Sequence, residues 1–245
     1  MGGPVKKLRT ALLLIVVAVA LSALSSLGSC APESIPGFAP SPPAPGSPTR
    51  AQLDELLAAV ATVPERPDAD GYERGCKAGE GCVFGPAWTD DYDGPGGHDG
   101  CGTRDNVLAL SLTDVQYREG TRNCVVVSGI LTDPYSGDIV EFAKADASKV
   151  QIDHIYPLAA AWDMGANTWM PDKRVQFAND IEFNLMAVDG FENQTKSDDT
   201  PSDWLPPNES YHCYYAGKYL SVSVQYALPI TEADRRTLAG VAESC

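Results

Sequence analysis

Asp153 and His154 are adjacent in the chain, and Asn184, Asn193 and Lys196 follow downstream. These residue types suit the hydrolysis of a phosphodiester. That reaction needs a water deprotonated in line with the leaving oxygen, and a cation to neutralise the charge that builds there. A histidine near its own pKa takes a proton at neutral pH, which makes His154 the candidate general base. A carboxylate and a side-chain amide hold a hard divalent cation while leaving positions for water and phosphate, so Asp153 and Asn193 are the candidate metal ligands. The Asn184 amide is expected to bond nearby backbone and hold the His154 segment. Lys196 is expected to contact the phosphate. Arg104 and Arg174 are further candidates for that contact, with pairing to neighbouring carboxylates as their alternative role.

Each residue alone also has an ordinary explanation. An Asp-His pair is more often a satisfied surface or turn pair, and an asparagine in a loop is usually a turn residue. Asn179 shows how easily the wrong amide could be chosen. His98 lies in a glycine-rich loop and reads as an exposed loop residue, and His212 beside Cys213 reads as structural, which leaves His154 as the base. Trp162, Trp169 and Trp204 read as core and loop anchors. No G-x-S-x-G elbow is present to support a serine hydrolase.

The elements that must position this set are short. Ala51 to Val63 places Leu53, Leu56, Leu57 and Val60 on one helical face. Irregular loops are expected from Pro64 to Gly100, with Trp88 as a buried anchor. Asn106 to Asp114 reads as a short helix, Cys124 to Leu131 as a strand, Asp133 to Gly137 as a turn and Asp138 to Phe142 as the returning strand. Val150 to Ile152 is a strand delivering Asp153-His154, and Pro157 argues that it ends there, which frees the pair from strict alternation between faces. Leu158 to Met164 is a helix stopped by Gly165, and Asn184 to Val188 is a second strand. Asp189 caps a helix on which Asn193 and Lys196, at i and i+3, share a face. Glu209 to Tyr226 and Thr231 to Ser244 are helices, the latter opened by a Thr231/Asp234 capping box.

The stretches Asp153-His154-Ile155-Tyr156-Pro157, Asn184-Leu185 and Asn193 with Lys196 resemble the HNH (ββα-metal) endonuclease superfamily. They are most similar to the branch that includes the C-terminal nuclease domain of modification-dependent restriction enzymes, the GmrSD-like group. Exported actinobacterial members of that branch carry stretches similar to Gly100–Arg104, Asp133–Gly137, Arg174 with Phe177–Asp180, and Asp203–Pro207. The likeness covers about residues 71 to 245. It implies an α+β fold with a ββα-metal hairpin at about 149–200, His154 as general base, Asp153 and Asn193 on the metal and Asn184 as the structural amide. Two departures stand out. The third HNH position is Asn193 rather than histidine, which favours Mg²⁺ or Mn²⁺ over zinc, and the insertion between His154 and Asn184 is long.

The ends point to export. Lys6, Lys7 and Arg9 precede an apolar stretch, Ala11 to Leu24, too short for a comfortable bilayer span. Leu27-Gly28-Ser29-Cys30 resembles the bacterial lipobox, so residues 1–29 are expected to be a lipoprotein signal peptide and Cys30 a lipidated membrane anchor, with plain cleavage and release as the alternative. Residues 30–50, rich in Pro and Ser, form a spacer, and 51–245 the catalytic domain. Without Cys30 six cysteines remain, and an even set in an exported chain reads as disulfides. Fifteen connectivities are open. Spacing favours Cys76–Cys82, Cys101–Cys124 and Cys213–Cys245, with zinc as the weaker use because no C-x-x-C pair exists.

The chain has a net charge of −15, and loss of Lys6, Lys7 and Arg9 leaves 15 basic against 33 acidic residues. A surface this acidic repels nucleic acid as a whole, so cutting would rely on a local cation patch and a metal. The expectation is an exported, metal-dependent endonuclease acting on DNA, with RNA the second candidate. The rivals are a non-catalytic surface lipoprotein binding protein or wall polymer, which the charge favours, and a phosphoesterase acting on small nucleotides.

Overall fold

The computed structural model describes residues 43–245; the expected leader, Cys30 and most of the spacer lie outside them. The end of the spacer belongs to the fold. Ala44 N donates to Ser210 O at 2.7 Å, and Pro48 packs so closely on Gly217 that a Cβ there would meet Pro48 Cγ at 2.6 Å.

Thr49 then caps helix α1 (Arg50–Ala59) by accepting from Gln52 N, while the Gln52 side chain bonds the Thr49 backbone in return. The helix buries Leu53 and Leu57 but stops short of the expected Val63. Val60 is extended, and the next residues become β1 (Thr62–Val63), paired in parallel with β7 (Ile230–Thr231). An irregular stretch follows, and α2 (Thr103–Ser111) begins three residues before the expected helix. Thr113 to Tyr117 forms β2 instead of a helix end, because β3 (Val126–Thr132) supplies a hydrogen-bonding edge for it and pairs on its other side with β4 (Ile139–Ala143).

β5 (Val150–His154) starts a second antiparallel pair. It is followed by α3 (Leu158–Asp163), which Gly165 stops at φ 124°, and by α4 (Pro171–Asn179). The chain returns as β6 (Leu185–Asp189), with Val150 opposite Asp189 and His154 opposite Leu185. It turns directly into α5 (Gly190–Lys196), where Asp189 caps by accepting from Phe191 N and Glu192 N. Gly190 is obligatory at this corner, since a Cβ would lie 2.0 Å from Ser148 O. A 3₁₀ turn leads into α6 (His212–Tyr226), and α7 (Glu232–Ala242) closes the domain with the expected Thr231/Asp234 capping box.

Two apolar clusters result. The larger surrounds α6, where Tyr215, Tyr219 and Leu220 are fully buried against Leu53, Tyr135, Ile155, Tyr156 and Phe177. The smaller joins Val107 and Leu108 of α2, Val126 and Leu131 of β3, Val150 and Ile152 of β5, and Leu185 and Ala187 of β6. The β5–β6 pair therefore touches both clusters and is held from two sides. All three favoured disulfides are present: Cys76–Cys82, Cys101–Cys124 and Cys213–Cys245. The result is a mixed α+β domain. Among the described residues no helix is long and apolar enough to cross a membrane.

Candidate active site

Alternation along β5 sends Val150, Ile152 and His154 to one face and Gln151 and Asp153 to the other. The first face packs on the smaller core. The second is covered by α5: Asn193 Nδ2 donates to Gln151 Oε1 at 2.8 Å, and Lys196 Nζ donates to Asp153 Oδ1 at 2.9 Å. β5 runs through His154, so the pair keeps the alternation that Pro157 was expected to relieve, yet both residues line one cleft at the strand end. Asp153, His154, Asn193, Gln194 and Arg74 line it, and its volume is about 510 Å³.

His154 is held by a part of the fold that sequence reasoning missed. Its Nε2 lies 2.9 Å from Ala178 O in the last turn of α4, where carbonyls lack helical partners. A carbonyl only accepts, so Nε2 carries the proton and Nδ1 has the free lone pair. Trp88 lies parallel to the imidazole, with ring centroids 5.5 Å apart and planes at 16°. Trp88 is thus half-buried over the site rather than the buried anchor expected. Burial, helped by the Arg74 guanidinium, pushes the His154 pKa down to about 4, so the ring is neutral at physiological pH and a weaker base than the near-neutral imidazole that the sequence suggested. The hydrogen bond to Ala178 O and the Asp153 charge oppose this shift but are outweighed by desolvation.

Asn184 lies just before the returning strand and bonds backbone only. Its Oδ1 accepts from Tyr156 N at 2.9 Å, and its Nδ2 donates to Tyr156 O and Phe177 O at 3.4 Å. One wholly buried amide thereby ties the segment after His154 to α4.

Lys196 corrects the sequence reading. Its side chain is 0 % exposed and donates to both Asp153 Oδ1 and His154 O, so it cannot reach a phosphate in the cleft. The same carboxylate accepts a hydrogen bond from Tyr135 OH through Oδ2. Burial and Asp153 hold the Tyr135 hydroxyl well above its usual pKa, so it remains a donor. Asp153 is therefore fixed by one cation and one hydroxyl.

Arg104 and Arg174 do not join the cleft. Arg104 donates to Ala147 O and Val150 O and pins the start of β5 to α2. Arg174 donates to Val83 O and Trp169 O and lies over the Trp162 ring, which ties α4 to the Cys76–Cys82 loop. A different arginine lines the cleft. Arg74 is exposed, lines the cleft and forms no ion pair among the described residues. Its loop is closed by Cys76–Cys82 and by Cys82 N donating to Gly75 O at 2.9 Å. Only the nearby cysteine spacing could have drawn attention to it. His98 and His212 are as expected: His98 is exposed beside Asp93, and His212 bonds Pro206 O at 2.7 Å.

Asp153 and Asn193 have the right donors for a hard cation. Each Asp153 oxygen keeps a lone pair beyond its one protein hydrogen bond, and the Asn193–Gln151 contact uses the amide nitrogen and leaves Oδ1 free of it. Among the described residues no cluster of three or more His, Cys, Asp or Glu could hold a metal. Any cation here would have a sparse protein shell, completed by water and phosphate as is usual for Mg²⁺.

Residues 102–241 match the family model of the GmrSD restriction endonucleases, C-terminal domain. An uncharacterized secreted protein of Arthroderma benhamiae (strain ATCC MYA-4681 / CBS 112371) is 35% identical over 208 residues, covering 84% of this chain and 91% of that protein. No solved structure matches the chain. The matched segment contains β5, β6, α5 and every cleft residue named above except Arg74, and on that ground the chain belongs to the family of the C-terminal domain of GmrSD restriction endonucleases.

Proposed function

We propose that the protein is an exported endonuclease that hydrolyses phosphodiesters with a divalent cation, Mg²⁺ or Mn²⁺, at an HNH-type ββα hairpin formed by β5, β6 and α5. The observation that carries this reading is the meeting of Asp153, His154 and Asn193 in one cleft, on a strand, a strand end and the following helix. The family supports nuclease chemistry, and the secreted relative and three disulfides support export. DNA is the preferred substrate, as the sequence suggested, and lipidation of Cys30 is the proposed anchor.

Asp153 and Asn193 would hold the cation, which when bound offsets charge on the phosphate and the leaving oxygen. His154 takes a water proton on Nδ1 as the water oxygen bonds to phosphorus and the bond to the leaving oxygen breaks. The leaving oxygen takes a proton from solvent water, and the products are a phosphate monoester and a free hydroxyl. The Ala178 carbonyl fixes the tautomer that makes Nδ1 the base. Arg74 contacts the phosphate from the solvent side. Lys196 and Tyr135 position Asp153, and Asn184 positions the strand end. Local cations thereby offset a chain of net charge −15 at the one place where phosphate must approach.

The test is incubation of the oxidised chain lacking residues 1–30 with plasmid DNA, single-stranded DNA and RNA, in Mg²⁺, Mn²⁺ or EDTA. Cutting that requires the cation supports the reading. If none of the three is cut with any divalent metal, the non-catalytic surface protein replaces it.

A further inference from the structure

Behind His154 lies a second cavity, of about 260 Å³, that the hydrolytic step does not use. It shares Arg74, His154 and Leu158 with the cleft, so the two spaces join at the base. Phe84 and Trp88 contribute aromatic walls, and Ala87 and Pro86 line it from the exposed loop. Asn179, at the end of α4, is a second buried polar residue in its wall beside His154. The Asn179 Nδ2 is fixed on Val175 O at 2.9 Å, which settles the amide orientation, and its Oδ1 is buried with no hydrogen-bond partner. A buried acceptor left without a donor is costly in a finished core and common where a ligand supplies the donor. Trp88 adds a second sign of a built site. Its φ of 56° is unfavourable for a bulky residue, yet Thr103 N holds it there by donating to Trp88 O at 3.2 Å.

The geometry points to an unpaired nucleobase as the occupant of this cavity, contributed by a nucleotide flanking the scissile phosphate. A base is flat and carries N–H groups on its edge. It would lie against Trp88 and Phe84 while an N–H meets Asn179 Oδ1 and Arg74 meets the adjoining phosphate. Stacking on aromatic side chains tolerates any base, and every unpaired base carries an edge N–H that can meet the single acceptor, so the cavity separates base from no base. A base cannot enter while stacked in a duplex, so the enzyme prefers single-stranded or locally opened substrate. The placement beside the scissile phosphate rests on the phosphodiester reading above.

Two measurements test it. Deoxynucleoside 5′-monophosphates and 2-deoxyribose 5-phosphate are titrated into the protein by calorimetry. In parallel, a single-stranded oligonucleotide with one abasic residue, moved position by position along the strand, is digested in Mn²⁺. The pocket requires at least one base-bearing monophosphate to bind tenfold or more tighter than the sugar phosphate. It also requires kcat/KM to fall tenfold or more when the abasic residue flanks the cleaved bond, and little when it lies further away. Asn179→Leu should reduce base-dependent binding at least fivefold, and the abasic comparison on the unaltered protein stands even if that variant misfolds. Equal binding of all monophosphates and the sugar phosphate, with uniform cutting of abasic strands, overturns the pocket and leaves the nuclease reading intact. Base-dependent binding by a protein that cuts no nucleic acid sustains the pocket and overturns the phosphodiester reading instead.

Discussion

Lys196 Nζ lies 2.9 Å from Asp153 Oδ1, and the two side chains are 0 % and 5 % exposed. Such a pair has little net worth against an apolar replacement, but removing one partner strands the other charge. Lys196→Met is therefore expected to cost about 3–5 kcal/mol, and thermal unfolding reads it as a large fall in Tm. A Lys196 that served only to meet substrate would lie outside the fold, and its loss would leave Tm unchanged.

His154 makes stability depend on pH. Its folded pKa of about 4 lies below the unfolded value of 6.5, so between these limits the unfolded chain binds the extra proton. The contribution is complete above pH 6.5 and is lost as pH falls towards 4, amounting to about 3 kcal/mol. Urea unfolding of the wild type and of His154→Gln at pH 7 and pH 4.5 isolates it, because the carboxylates titrate in both. The wild type is expected to lose more stability than the variant across that interval; equal losses would show that His154 is not buried neutral.

Arg74 and the two inward arginines should behave differently. Arg74→Ala is expected to raise KM for DNA and reduce the slope of log affinity against log salt by about one, because one phosphate contact is gone. Arg104→Ala and Arg174→Ala remove ties to backbone carbonyls and should lower Tm while leaving the salt slope in place. A reversed pattern would return the phosphate contact to Arg104 or Arg174.

The disulfides separate stability from activity. Closing a longer loop restrains the unfolded chain more, so Cys213→Ala with Cys245→Ala (separation 32) should cost about 4 kcal/mol and Cys76→Ala with Cys82→Ala (separation 6) about 2 kcal/mol. The second pair closes the Arg74 loop, so its removal should reduce DNA cleavage more than the first does at a temperature where both variants are folded. Cleavage assays beside calorimetry check the ordering, and full activity without Cys76–Cys82 would detach that loop from the reaction.

Local signals made the β5–β6–α5 unit legible in the sequence. Pro157 marked the end of β5, and Asp189 marked the cap of α5. The His154 and Asn184 readings followed from them. The Thr231/Asp234 capping box and the cysteine spacing were equally local. What stayed hidden depends on distant partners. Lys196 reads as a surface cation until Asp153, 43 residues earlier, is placed beside it. Arg104 and Arg174 look free until their backbone acceptors are known. Helix α4 was missed because Pro171 to Asn179 is largely polar and lacks a clear apolar stripe; the packing of Phe177 and Ala178 holds it in place. Arg74 and Trp88 lie in a stretch without periodicity, where only the folded loops show that they face His154.

Water activation is assigned to His154 through Nδ1. The most direct test is the rate of supercoiled plasmid nicking in Mn²⁺ by the wild type and by His154→Ala, with circular dichroism confirming that both are folded. A loss of at least about 100-fold is expected in the variant, the lower range for a missing general base. An equal rate from folded His154→Ala would contradict it and place the catalytic base elsewhere in the molecule.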